Sequence, residues 1–250
     1  MSLAKPTSTT CIVIPCYNEE KGFQFDKYRS FLKKQSDVLL CFVNDGSTDD
    51  TFIMLTKFKE EFPKLIEVVD CAQNQGKAEA VRTGMHHCEK HFEYTFIGYL
   101  DADLSTSLEE CAGMKSYLEA PIAFSFGCRM MKIGSIIERN RYRFIIGRII
   151  ATVISRVLDL RVYDTQCGCK LFKRELAVYV FKEAFISKWL FDVELFYRII
   201  NRYGKEAAIE KMIEIPLKKW VDEGDSKVKT SYFFRLWFDL YAIHKKYKQK

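Results

Sequence analysis

Two aspartates, Asp101 and Asp103, stand one residue apart directly after the apolar run Phe96 to Leu100. Carboxylates in that spacing suit a hard divalent cation, Mg²⁺ or Mn²⁺, with the phosphates of a nucleotide completing its shell. A cation held there would neutralise the charge that builds on a departing diphosphate. The same stretch also fits a plain polar loop in which a carboxylate caps a helix starting near Leu108. Asp45 lies in a second loop, Asn44-Asp45-Gly46-Ser47-Thr48, where it could accept hydrogen bonds from a nucleotide base or belong to an N-capped strand-to-helix turn. In Asn74-Gln75-Gly76-Lys77 a glycine, a lysine and a helix start suit a phosphate, although the spacing is not that of a P-loop and a solvated lysine is the plainer reading.

The second half of the chain is basic. Arg129, Arg139, Arg141 and Arg143 offer guanidinium forks for phosphates. Arg141 and Arg148 are expected on a solvated face. Lys227 follows Glu223-Gly224-Asp225-Ser226, a stretch that could close over a ligand. Asp164-Thr165-Gln166-Cys167-Gly168 is a dense polar loop, and Asp192 and Glu194 are acids inside an otherwise apolar helix. Acids in such a place are costly unless paired, so they are expected to orient basic residues of the site. His87 and His91 have the spacing of a helical metal pair but no third ligand beside them. The Phe, Tyr and Lys mixture of the tail carries no single-strand-binding signature, and no nucleic-acid partner is expected.

These residues need a frame, and 250 residues with 48% hydrophobic content can bury one substantial core. Short β-rich runs at Cys11 to Pro15, Val38 to Val43, Ile66 to Val69, Phe96 to Leu100 and Pro121 to Gly127 alternate with helical patterns such as Phe52 to Phe62 and Ala78 to His91. That alternation predicts an α/β fold with a mostly parallel sheet flanked by helices. Its ligand loops fall at the carboxyl ends of the strands. Residues Arg141 to Asp159 predict an amphipathic helix with Tyr142, Ile145, Ile146, Ile149, Ile150, Val153 and Val157 on one stripe. The tail repeats the pattern with Phe233, Leu236, Trp237, Leu240 and Tyr241, followed by four lysines.

The net charge of +6 suits an anionic partner. Nine cysteines without a CxxC pair read as reduced, mostly buried thiols. No uncharged apolar run approaches the roughly 20 residues of a membrane span, and no export segment opens the sequence, so a cytoplasmic location is expected.

Ile12-Val13-Ile14-Pro15-Cys16-Tyr17-Asn18-Glu19-Glu20, Asn44-Asp45-Gly46-Ser47, Gly76-Lys77 and Asp101-Ala102-Asp103 occur in an order and spacing that resemble family 2 glycosyltransferases with the GT-A (Rossmann-like) fold. Gly127-Cys128-Arg129, Asp164 to Phe172, Trp189 to Leu195 and Glu223 to Val228 resemble the dolichyl-phosphate and polyprenyl-phosphate glucosyltransferase and mannosyltransferase branch, the glucose type more closely. The resemblance implies that Pro15, Tyr17 and Glu19 line the nucleoside pocket, that Asp45 reads the base, and that Gly76, Lys77 and Ala102 border the donor. It places Asp101 and Asp103 at the metal and donor diphosphate. Arg129, Arg139 and Arg143 would face donor or acceptor phosphates, with Asp164, Gln166 and Asp192 on the acceptor side and Ser226 and Lys227 on a loop near the acceptor.

By the same resemblance the sequence divides into a glycosyltransferase domain over residues 1–228, donor half 11–130 and acceptor-side half 131–228, followed by a basic amphipathic helix over 229–250. Two positions depart from the pattern: Asn44 replaces a frequent aspartate, and Ser105 stands where mannosyl enzymes carry a residue that helps hold the metal. The family's eukaryotic glucosyl members begin with a membrane anchor. Without one in this sequence, attachment to the cytoplasmic face of a membrane is expected to rest on the amphipathic helices and positive charge.

The implied reaction is inverting transfer of a hexose, glucose before mannose, from UDP-glucose or else GDP-mannose to a polyprenyl phosphate. A lipid phosphate is already ionised and needs no general base, whereas a hydroxyl acceptor would call on a carboxylate such as Asp164 or Asp192. A family 2 transferase for a soluble or polysaccharide acceptor and a non-catalytic membrane-surface module are the alternatives.

Overall fold

The computed structural model describes residues 9–139, 141–221 and 232–248, apart from the side chains of residues 143 and 232–234. Its central strands are apolar along nearly their whole length: β1 (Thr10–Cys16) and β2 (Val38–Asn44) are buried at almost every position. A parallel strand covered on both faces requires that. Successive side chains point to opposite faces. Cys11 and Val13 of β1 therefore join one core, while Ile12, Ile14 and Cys16 join the other.

The remaining strands of the sheet are β3 (Ile66–Asp70), β4 (Phe96–Leu100), β5 (Phe124–Cys128), β7 (Cys169–Lys173) and β8 (Met212–Pro216), and β6 (Ile136–Glu138) pairs in parallel with β9 (Lys219–Val221) as a separate ribbon. The large sheet runs β3-β2-β1-β4-β7-β5-β8. The expected parallel arrangement holds except at β7, which lies antiparallel between β4 and β5. The strand expected over Pro121 to Gly127 starts at Phe124.

On the Ile12 face, α1 (Phe25–Leu32), α2 (Thr51–Glu61) and α4 (Leu108–Gly113) supply Tyr28, Phe31, Leu55, Phe58, Leu108 and Cys111 to the core. The opposite face is covered by α3 (Lys77–His91), α5 (Arg141–Leu158), α6 (Arg174–Val180), α7 (Phe191–Tyr203), α8 (Lys205–Glu210) and α9 (Tyr232–Lys248). All nine cysteines are free thiols, and only Cys71 is not fully buried. Among the described residues no helix is long and apolar enough to cross a membrane.

Both amphipathic helices differ from expectation in which side chains they bury. Along α5, Ile154 and Leu158 enter the core with Ile150, Val153 and Val157 against it, whereas Tyr142, Ile145 and Ile149 are 74%, 58% and 57% exposed. The stripe is buried only in its second half, where it meets α7. Arg148 is not solvated: its guanidinium donates to the Tyr163 carbonyl at 2.6 Å and lies 3.6 Å from that ring's centroid.

The tail helix α9 packs on the body through Leu236, Leu240, Ile243 and Tyr247, while Trp237, Phe238 and Tyr241 face outward. Replacing the buried Leu240 by Ala is expected to lower stability by about 2–4 kcal/mol. Phe238→Ala, on the exposed side, should stay within about 0.5 kcal/mol. Urea unfolding of the two variants checks this, and equal effects would contradict the packing of α9.

Candidate active site

The strand order reverses at β1, with β2 and β3 on one side and β4 on the other. A crevice opens beyond the carboxyl ends of the strands at such a switch point. Pro15 near the end of β1, Asp45 just after β2 and Asp101 just after β4 lie along this edge, which is why motifs far apart in sequence meet there.

Just past the end of β1, Tyr17 is 38% exposed. Asn18 takes a positive φ of 52°, a conformation asparagine tolerates better than most residues. Its N–H donates to Ser47 Oγ at 3.0 Å and its Oδ1 accepts from Thr48 N at 2.9 Å. The Glu19 N–H donates to Thr51 Oγ1 at 2.8 Å, so the loop after β1 is stitched to the loop after β2.

Asn44 donates through Nδ2 to Asp70 Oδ1 at 2.6 Å. An aspartate at position 44 would set two like charges against each other there, so the amide and Asp70 together explain this departure from the family pattern. Asp70, at the end of β3, was not legible as a site residue.

Asp45 corrects an expectation. It is 2% exposed, and its two oxygens accept the N–H groups of Gln75 at 2.9 Å and Gly76 at 2.8 Å. This carboxylate braces the Asn74 to Lys77 loop and does not present itself to a base. Gly76, at φ +96°, lies under the Lys188 side chain, where an added Cβ would come within 2.9 Å of Cδ. The Lys188 carbonyl also accepts the Ala78 N–H at 3.1 Å. Lys188 was missed in the sequence, its only signal being its place just before the Trp189 to Leu195 motif.

Asp101 and Asp103 face this loop. Lys77 Nζ lies 2.5 Å from Asp101 Oδ1. That oxygen is buried against the lysine ammonium. Its backbone N–H donates to the Gly168 carbonyl at 3.0 Å, and a Cβ at Gly168 would fall inside the Asp101 carboxylate. The polar loop after Asp164 thus supplies the gap that Asp101 occupies.

Asp103 Oδ1 accepts from Ser105 N at 2.9 Å, and its carboxyl is raised above the ordinary value by desolvation and then by the charge of Asp101. It does not cap α4: Ser107 Oγ does, accepting from Glu110 N at 3.1 Å. Ala102 is buried, and its carbonyl accepts from Tyr28 OH at 3.1 Å. Burial would lower the Lys77 ammonium, but Asp101, Asp192 and Asp103 outweigh it and hold it above its usual pKa.

Across the crevice Arg129 forms a bidentate pair with Asp164, Nε to Oδ2 at 2.6 Å and NH2 to Oδ1 at 2.9 Å. Burial would favour the neutral form of each partner; instead the pairing keeps the Arg129 pKa raised and the Asp164 carboxyl far below the usual range. Gln166 N donates to the same carboxylate at 3.0 Å. Glu214, which the sequence did not single out, accepts from the N–H groups of Tyr163 and Asp164 at 2.9 and 2.7 Å. Trp220 is a shared platform, its ring centroid 5.4 Å from the Arg129 guanidinium and 5.9 Å from that of Arg139. The side chain of Arg143 and the whole of Ser226 and Lys227 lie outside the described residues.

Asp192 is 4% exposed. Its Oδ1 lies 2.7 Å from Nζ of the fully buried Lys170 and accepts from Tyr99 OH. Lys170 also donates to the Cys167 carbonyl at 2.6 Å. Asp164 and Asp192, expected on the acceptor side, are buried counter-ions of Arg129 and Lys170. Glu194 does not serve the crevice. It accepts from the N–H groups of Ile186 and Ser187 and from Tyr247 OH, and faces Arg198 at 3.7 Å. Ser187 Oγ in turn donates to Asp239 of α9 at 2.6 Å, tying the tail helix to the loop that carries Lys188.

His87 lies 3.5 Å from Glu67, and among the described residues no group of three or more His, Cys, Asp or Glu could hold a metal. A cation at Asp101 and Asp103 would draw its remaining ligands from water and a bound substrate.

A dolichyl-phosphate beta-glucosyltransferase of Trichomonas vaginalis is 29% identical over 248 residues, covering 94% of this chain and 70% of that protein. The human protein of the same name is 29% identical over 210 residues, covering 77% of this chain and 63% of its own length. Among solved structures, glucosyl-3-phosphoglycerate synthase of Mycobacterium tuberculosis in complex with UDP superposes with a TM-score of 0.64 at 15% identity, over 95% of this chain and 80% of that one. Mannosyl-3-phosphoglycerate synthase of Rubrobacter xylanophilus gives 0.68 at 13% identity, over 96% and 73%. At such identities the superpositions show the shared fold alone. The profile of glycosyl transferase family 2 matches residues 11–181, the span that holds Asp45, Lys77, the Asp101 and Asp103 pair, Arg129 and Asp164, and the chain belongs to that family.

Proposed function

We propose that this glycosyltransferase moves glucose from UDP-glucose to a polyprenyl phosphate of the dolichyl type, with inversion at the anomeric carbon. The observation that carries the reading is the state of the acceptor side. The two carboxylates that could have served as general base are paired with cations, Asp164 with Arg129 and Asp192 with Lys170, and Arg139 stands against the same Trp220 ring as Arg129. Such a wall suits an acceptor that arrives already ionised and needs charge screening more than proton removal. Two curated relatives carry the name dolichyl-phosphate beta-glucosyltransferase, which supports both the sugar and the acceptor.

In this reading the crevice beyond β1 and β2 receives the nucleoside against Pro15, Tyr17 and Glu19. Gly76 and Lys77 approach the diphosphate at the start of α3, where unpaired N–H groups favour an anion. Arg129 and Arg139 orient the attacking phosphate and offset its charge. Asp101 and Asp103 fit a divalent cation in their chemistry, two carboxylates one residue apart just past the end of β4. The cation, when bound, supplies positive charge for the leaving diphosphate. The Mycobacterium tuberculosis synthase, whose structure is also known in complex with Mn²⁺ and UDP-glucose, supports Mn²⁺ as the first ion to test. Direct displacement accounts for inversion.

The exposed half of α5, with Tyr142, Ile145 and Ile149 beside Arg141, and the outer face of α9 are the surfaces we assign to the membrane. The test is transfer from radiolabelled UDP-glucose or GDP-mannose to polyprenyl phosphate in vesicles, with Mn²⁺ or Mg²⁺. Label from UDP-glucose in the lipid phase that disappears with EDTA, together with protein that floats with the vesicles, is the expected result. Nucleotide-sugar binding without lipid labelling would point to another acceptor, and protein that never floats would overturn the membrane assignment.

A further inference from the structure

We infer that Lys77 competes with the divalent cation for Asp101, and that a nucleoside diphosphate resolves the competition by taking the lysine ammonium. The inference rests on the donor and cation reading above and adds to it an order of events built into the loop.

The geometry carries the argument. Lys77 Nζ stands 2.5 Å from Asp101 Oδ1, and its side chain is only 19% exposed, so the ammonium is held against the carboxylate. The oxygen itself is buried, so the ammonium is the charge it meets in place of water. A cation ligated by the same oxygen at roughly 2.0–2.2 Å would bring two positive centres into close approach, a strong repulsion in a partly buried site. The ammonium must therefore move before the cation binds well.

It has somewhere to go. Lys77 is the first residue of α3, directly after Gly76, and the helix start favours an anion beside it. Asp45 pins Gln75 and Gly76, and the Lys188 carbonyl holds Ala78, so the backbone stays fixed while the Lys77 side chain exchanges partners. A diphosphate at the helix start offers the ammonium a new counter-ion and presents oxygens to the cation. Each ligand then improves the site for the other.

The test measures Mn²⁺ binding to the full chain through loss of the free-ion EPR signal, with and without UDP. Without UDP, Lys77→Met is expected to bind Mn²⁺ at least about tenfold more tightly than wild type, because the competing charge is gone. The enhancement by UDP should shrink in the same variant. Lys77→Arg keeps the charge and should keep Mn²⁺ binding weak without UDP. Lys77→Gln, polar but uncharged, gives the same reading as Met if the methionine variant does not fold.

If Lys77→Met and Lys77→Gln bind Mn²⁺ no more tightly than wild type without UDP, while wild type takes up Mn²⁺ when UDP is present, the competition is disproved and the proposed function stands. Wild-type protein that takes up no Mn²⁺ even with UDP overturns both.

Discussion

Asp101→Asn is expected to lower glycosyl transfer by about 10³-fold, on the scale of losing a principal electrostatic contact to the leaving group. The substitution nearly preserves shape and removes the charge, so the fold should survive. Gly168→Ala attacks the same position from the other side. A methyl group there would occupy the space of the Asp101 carboxylate, and the Asp101 N–H bond to the Gly168 carbonyl leaves the backbone little room to yield. Displacement of a reacting group by about 1 Å can cost on the order of 10²-fold, and that is the loss expected for Gly168→Ala. Both variants should retain a cooperative thermal transition. A Gly168→Ala enzyme with wild-type transfer rates would show that Asp101 is not held where the structure has it.

The second large effect concerns stability. Asp164→Ala leaves the Arg129 guanidinium, only 16% exposed, without its bidentate partner. Breaking one side of a buried pair costs about 3–5 kcal/mol. Urea unfolding near neutral pH should show it, and a loss below about 1 kcal/mol, the level of a surface pair, would contradict the burial. The pH dependence supplies an independent check. Arg129 overcomes burial and depresses the folded-state Asp164 pKa, so the pair's contribution is present above the unfolded carboxylate value of about 4. It is lost as pH falls from there towards the depressed value. The stability gap between wild type and Asp164→Ala should therefore stay level from neutral to mildly acid pH and narrow only below about pH 4.

Residues whose role depends on their own strand or loop were legible in the sequence. Asp101 and Asp103 follow an apolar run that becomes β4, and Gly76 and Lys77 begin a periodic stretch that becomes α3, so their placement at one edge of the sheet followed from local pattern alone. Residues whose role depends on a distant partner were not. Asp45 suited a base as well as it suited a turn, and its carboxylate turned out to hold amides 30 and 31 positions away. Trp220 gave no sign of serving two arginines, since nothing in its neighbourhood carries them. Glu214 and Lys188 were hidden for the same reason. The stripe of α9 was visible, but a helical period cannot say whether the apolar side meets the protein or a membrane. Here Leu236, Leu240 and Ile243 meet the protein, and Trp237 and Phe238 do not.

The α/β class, the alternation that builds the sheet and the acid pair with its neighbouring lysine loop could be read from residue order, because hydrophobic period and turn chemistry act over a few residues; the family came from the likeness of its motifs. Which charges remain available to ligands depends on how distant segments pack. Arg129 and Asp164 meet across 35 positions, and Tyr99 and Asp192 across 93. A carboxylate's chemistry is set by burial and by the charge beside it, and both are created only when separate segments pack together.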